Sequence, residues 1–216
     1  DRALRAGPAD FLLARAVEDM VDRLATISRE FSDVLDLGTP GPHLATALAR
    51  PGRRVTRLAP TGRALGAGDF AGLVGDEEAL PFGPERFDLI VSALSLQSVN
   101  DLPGALAQAR RALKPDGLML AALIGGQTLT ETRAAFAQAE EEIAGGASPR
   151  VAPFPDVRDL GGLLQRAGLA LPVADMDVVT ARYRDPLRLF ADLRAMGATN
   201  ALTQRSRKPL SRAIAL

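Results

Sequence analysis

Between residues 10 and 30, Phe11, Leu12, Ala16, Val17, Met20, Val21 and Leu24 recur at helical spacing behind Asp10, a candidate N-cap. The spacing predicts an amphipathic helix. The pattern then changes to short apolar runs at 34–37, 55–58, 72–74, 87–94 and 118–124, alternating with helix-like stretches such as 43–50 and 102–113. Near-continuous apolar runs separated by helical segments are how buried parallel strands with crossover helices read in sequence. Asp101 and Pro103 open the 102–113 helix as cap and first-turn residue, and Lys114-Pro115-Asp116-Gly117 is expected to end it and turn into the fifth strand.

Beyond Gly126 the pattern predicts a long polar helix over 128–144 that stops at Gly145-Gly146, a loop SPRVAPFPD, and a further helix over 157–167. These elements are expected to form a helical cap, about 126–168, over the strand ends. The glycine pairs that bracket its first helix make it a candidate mobile cover. A sixth strand over 171–183 and a helix over 186–196 complete the reading. The whole predicts one α/β domain over 1–216, Rossmann-like and doubly wound, with a mainly parallel sheet of six to seven strands flanked by helices. The stretch 206–216 carries no strand pattern, so a closing antiparallel hairpin is expected to be incomplete.

Composition narrows the chemistry. With 216 residues, 47% of them hydrophobic, one sizeable core is the default. Twenty-six basic and 26 acidic residues cancel, which gives no support to non-specific nucleic-acid or membrane-surface binding. The chain has no cysteine and one histidine, His43, so disulfides, thiolate nucleophiles and Cys/His zinc sites are excluded and no metal site is expected. No apolar run reaches the roughly 20 residues of a membrane span, and the start DRALRAGPAD has no apolar signal region. A soluble, cytoplasmic protein is expected. Abundant alanine and only two lysines, Lys114 and Lys208, fit a GC-rich bacterial genome.

The first chemically informative stretch is VLDLGTPGPHLATAL, residues 34–48. It is a glycine-bearing turn at the carboxyl end of the first strand, where open α/β sheets bind ligands. The other possibility is a turn that binds nothing. The turn resembles the first motif of class I S-adenosylmethionine-dependent methyltransferases: Asp36 and Gly38 match it, and Pro40 and Pro42 stand where two further glycines are expected. Proline fixes φ and removes a backbone donor, while Thr39 and Gly41 keep the remainder of the turn available. In RVTRLAPTG, Leu58 occupies the place where the family carries a carboxylate for the ribose hydroxyls, with Arg57 beside it. Arg57 and Arg63 open a further alternative, a phosphate-bearing nucleotide.

The stretch of about fifty residues VGDEEALPFGPERFDLIVSALSLQSVNDLPGALAQARRALKPDGLMLAALIGG carries the resemblance most specifically. By that resemblance Asp76 would hydrogen-bond the adenine amino group, Glu77 would offer its backbone amide to the ring, and Ser92 to Leu94 would line the cofactor. Gln97 and Asn100, after the fourth strand, would touch substrate. Loop capping is the alternative role for Asp76. Within the superfamily, SALSLQSVNDLPGAL, GGQTLTETR, SPRVAPFPDVRDLGGLLQRAGL and PLRLFADLRAMGATNAL are similar to one branch. It holds the mitochondrial complex I assembly factor with a methyltransferase fold and its alphaproteobacterial relatives, and lies close to the biotin-pathway malonyl-carrier-protein methyltransferase. Branch members carry His-Trp where this chain has Gln97-Ser98. The resemblance implies methyl transfer with S-adenosylmethionine at a degenerate, weakly binding site. The alternative it leaves open is a non-catalytic or weakly cofactor-binding assembly factor with a respiratory-complex subunit as partner. It names no catalytic residue, no methyl acceptor and no oligomeric state.

Overall fold

The computed structural model describes residues 9–206. The first helix, α1 (Phe11–Ala25), follows the predicted spacing: Val17 and Met20 face inward, and Asp10 takes the N-cap position without a side-chain capping bond. After it come β1 (Asp33–Leu37), α2 (His43–Leu48), β2 (Arg54–Ala59), α3 (Gly62–Leu65), β3 (Ala71–Val74), β4 (Phe87–Ala93), α4 (Leu102–Ala112) and β5 (Leu113–Ala122). Three more helices follow, α5 (Thr130–Ala144), α6 (Val157–Arg166) and α7 (Pro186–Ala195). All pairings in the sheet are parallel, in the order β3-β2-β1-β4-β5. The doubly wound class is as expected, with five strands among the described residues in place of six to seven.

The two faces of the sheet bury separate apolar clusters, because alternate residues of each strand point to opposite sides. Val34, Val55, Leu89 and Val91 pack with Val17 and Met20 of α1 and with Leu44 and Leu48 of α2. Leu35, Leu37, Leu58 and Ile90 pack with Leu106 and Ala109 of α4, and Leu163 and Leu164 of α6 border them. Side-chain oxygens cap α3 and α4: Ala64 N–H donates to Thr61 Oγ1, and Gly104 N–H donates to Asp101 Oδ1.

Two expectations need correction. The turn at 114–117 is instead a bulge inside β5, since Leu113 pairs with Phe87 and Leu118 with Leu89. Lys114 secures it, with Nζ 2.6 Å from Asp33 Oδ2 and 3.2 Å from Asp88 Oδ1. Residues 171–183 form no strand: they pair with neither sheet edge, and Leu171 and Val173 stand 93% and 87% exposed. Alternating apolar residues do not make a strand without a hydrogen-bonding neighbour. Residues 10–124 and 157–174, α6 included, form one compact unit, and 125–156 with 175–206 fall in a second. The stretch 207–216, where the incomplete hairpin was expected, lies outside the described residues. No helix among the described residues is long and apolar enough to cross a membrane.

Candidate functional site

β1 pairs with β2 on one side and β4 on the other, so the topological switch point falls between β1 and β4, at Gly38 and Leu94. Both residues are held at positive φ. Gly38 has φ +72° and Gly41 +74°, which glycine tolerates, whereas Leu94 has φ +52°, a conformation that costs a leucine free energy and concentrates at functional sites. Gly38 N–H donates to Leu58 O (3.0 Å) and Leu94 N–H to Ala122 O (2.8 Å), which ties both turns to neighbouring strands.

Beneath the first turn lies an ion pair that sequence reading missed. Asp36 and Arg57 sit opposite each other in the β1–β2 register, both fully buried, with Nη1 2.5 Å from Asp36 Oδ2. Nε donates to Leu65 O (3.0 Å), and Nη2 donates to Thr39 O (2.7 Å) and Ala64 O (3.0 Å). Arg57 thus joins the glycine turn, the end of α3 and β1, and has no face left for a phosphate. The nucleotide-phosphate alternative built on it is corrected accordingly. Arg63 is exposed on α3. Burial pushes the Asp36 carboxyl up to about 6, against the opposing pull of Arg57 and Thr39. The signal available in the sequence was a pair of opposite charges inside two neighbouring apolar runs.

Thr39 is fully buried, and its hydroxyl accepts from Ala93 N–H (3.0 Å), which anchors the turn to β4. Pro40 is exposed. Pro42 takes the N-cap position of α2 and lies against Gly66, where an added Cβ would stand 2.9 Å from Pro42 Cγ. Leu58 points away from any open edge, into the apolar cluster with Leu35 and Leu37. Its neighbour Ala59 is also buried, so the carboxyl end of β2 presents no carboxylate.

Asp76 is exposed, and its Oδ1 accepts from Glu78 N–H (2.9 Å), the loop-capping role. Glu77 folds back across Gly38, and Ser95 Oγ donates to its Oε1 (2.7 Å). Among the described residues, Ser92 Oγ, Gln97 Oε1 and Asp36 Oδ1 are buried without a hydrogen-bond partner, while Gln97 Nε2 holds Leu94 O at 2.8 Å. Buried polar atoms without partners are uncommon and mark places where a ligand or water can bind. Asn100 Nδ2 is turned to Glu78 Oε2 (3.1 Å). The structure therefore gathers Gly38, Glu77, Ser92, Leu94, Ser95 and Gln97 at the carboxyl edge of the sheet, and it places Leu58 in the apolar cluster with Leu35 and Leu37. In the second unit, Gly126, Arg133, Val151, Pro153 and Phe154 line a separate cavity of about 350 Å³.

Comparison with known proteins agrees with this topology. A family model described as a methyltransferase domain matches residues 11–172. The chain is 37% identical over 204 residues to "Arginine-hydroxylase NDUFAF5, mitochondrial" of Danio rerio, covering 91% of this chain and 63% of that protein. The human protein of the same name is 38% identical over 202 residues, covering 91% and 59%. The chain therefore spans less than two thirds of these relatives. A malonyl-[acyl-carrier protein] O-methyltransferase of Methylovorus is 32% identical, covering 96% of this chain and 74% of the relative. Among solved structures, a putative methyltransferase of Haloferax volcanii, in complex with the Trm112 activator, shares the fold. Its TM-score is 0.56 at 21% identity, covering 77% of this chain and 72% of that one. Topology, switch-point site and family match together make this chain a member of the methyltransferase domain family, within the class I S-adenosylmethionine-dependent superfamily.

Proposed function

We propose that the chain is an S-adenosylmethionine-dependent methyltransferase with a weakened cofactor site. One observation carries this reading: the switch point presents a positive-φ glycine at Gly38, a strained Leu94 and, among the described residues, unpartnered buried oxygens on Ser92 and Gln97. That set fits a ligand with polar groups at one end, and the turn of Asp76 and Glu77 lies beside it for an adenine. Gly38, Thr39, Gly41, Ser92, Leu94 and Gln97 would hold the amino-acid end, with Asp36 supporting the turn from below. When bound, the cofactor supplies an electrophilic methyl group on sulfur. The chain itself binds, orients and excludes water, which needs no catalytic triad.

Weak binding follows from the carboxyl end of β2, where Leu58 and Ala59 offer no acceptor for ribose hydroxyls. A hydrogen bond to a charged acceptor contributes about 1.5–3 kcal/mol, so two missing ones weaken a ligand by orders of magnitude. Calorimetric titration of the purified protein with S-adenosylmethionine and S-adenosylhomocysteine is expected to give dissociation constants above about 1 μM. Tighter binding would overturn the weakened-site reading, and no binding of either at millimolar concentration would overturn the cofactor.

The same missing acceptor favours a second reading, an assembly factor acting on a protein partner such as a respiratory-complex subunit. The relatives named as arginine hydroxylases support that direction. Co-purification of the tagged chain with such a subunit tests it. A bacterial, cytoplasmic setting goes with both readings, and cell fractionation tests it.

A further inference from the structure

The resemblance assigns Glu77 only a backbone role. Its side chain is placed for something else. An ideal Cβ built on Gly38 would lie 2.0 Å from Glu77 Oε1, 2.4 Å from Ser95 Oγ and 2.8 Å from Glu77 Cδ. The carboxylate therefore rests directly on the glycine carbon, in the space that the absent side chain leaves open. Ser95, itself buried, holds it there through the 2.7 Å hydrogen bond. This is the only hydrogen bond to the Glu77 carboxylate among the described residues, and the residue is partly exposed.

A glycine at such a turn matters because it lets a ligand approach the backbone closely. Ligand atoms and the Glu77 carboxylate cannot share that space. We propose that Glu77 is the residue that sets access to the Gly38 cradle: its carboxylate, latched by Ser95, competes with the cofactor and must swing out before it binds. This rests on the methyltransferase reading above. Part of the weakness expected of the site then comes from an occupant that is removable in place, apart from the contacts missing at β2.

Calorimetry with S-adenosylmethionine on the wild type, Glu77→Ala, Glu77→Gln and Ser95→Ala tests the proposal. Glu77→Ala is expected to bind at least about tenfold tighter, equivalent to 1.4 kcal/mol. Ser95→Ala, which cuts the latch and leaves the carboxylate, is expected to gain less. Glu77→Gln keeps both the bulk and the acceptor, and is expected to gain least. A Glu77→Ala chain that binds no tighter than the wild type overturns the latch and leaves the methyltransferase reading standing. A Glu77→Gln chain that gains as much as Glu77→Ala overturns occlusion in favour of charge. If no chain binds S-adenosylmethionine or S-adenosylhomocysteine, the cofactor reading fails, and the latch fails with it.

Thermal melting gives a readout free of any ligand. Gly38→Ala is expected to lower the melting temperature more in the wild-type background than in Glu77→Ala, because the added methyl meets the carboxylate in only one of them. Equal shifts in the two backgrounds would show that Glu77 does not rest on Gly38.

Discussion

The Asp36–Arg57 pair shows how one residue can be right in identity and wrong in role. A guanidinium that donates to one carboxylate oxygen and three carbonyls inside a sheet is costly to break, because the partner left behind stays buried. Arg57→Met is expected to lose about 3–5 kcal/mol of stability in urea denaturation, and a loss below 1 kcal/mol would mean that water reaches Asp36. The pH dependence has a defined sign. The unfolded carboxyl holds its proton to about 3.8 and the folded one to about 6, so between those values the native state binds more protons. Stability from this group is complete below 3.8 and is lost as pH rises through 6, by about 3 kcal/mol. The stability of the wild type relative to Asp36→Asn should therefore fall from pH 4 to 6.5 and stay level above, and a difference that rises over that range contradicts the assignment. In sequence, Asp36 and Gly38 were legible from the turn between strand and helix. Arg57 was not, since only the β1–β2 register reveals which charges face each other.

At the scale of elements, the apolar runs at 34–37, 55–58 and 87–94 were legible because strands buried on both faces need continuous apolar character. Orientation at a strand's last residue was not legible, and that is where Leu58 misled. One residue of offset on a strand exchanges the two faces, and Leu58 belongs to the face covered by α4. Restoring a carboxylate there would not rebuild a ribose acceptor. Leu58→Asp would instead place a charge among Leu35, Leu37 and Leu80, and is expected to cost at least about 3 kcal/mol. Circular dichroism melting of that variant should show a lowered or absent cooperative transition, whereas a wild-type melt with tighter S-adenosylmethionine binding would reinstate Leu58 as a site position. The missed bulge in β5 has a related cause. Lys-Pro-Asp-Gly reads as a turn in any local scan, and only the pairing of its flanking residues Leu113 and Leu118 with Phe87 and Leu89 keeps it within the strand.

For the whole molecule, burial is divided unevenly between the two compact units. The sheet unit owns every fully buried apolar residue among those described, from Val17 to Leu113. In the other unit, Glu140 alone is fully buried among the described residues, held by Arg150 and by Ser148 N–H (2.6 Å). A stacked pair, Phe136 and Phe190 at 5.7 Å, joins α5 to α7 there. Apolar burial is the main favourable term in folding, at about 25 cal/mol per Å², and an ion pair with one aromatic contact does not replace a core. This unit should therefore open locally at a lower free energy than the sheet. Hydrogen exchange read by mass spectrometry is expected to give slow exchange for peptides covering β1 and β4, and faster exchange by at least about tenfold for those covering α5 and α7. Glu140→Ala should speed exchange across α5 further and leave β1 and β4 unchanged, because its partners Ser148 and Arg150 lie in the same unit. Protection of α5 equal to that of β1 would show that the second unit unfolds only with the sheet.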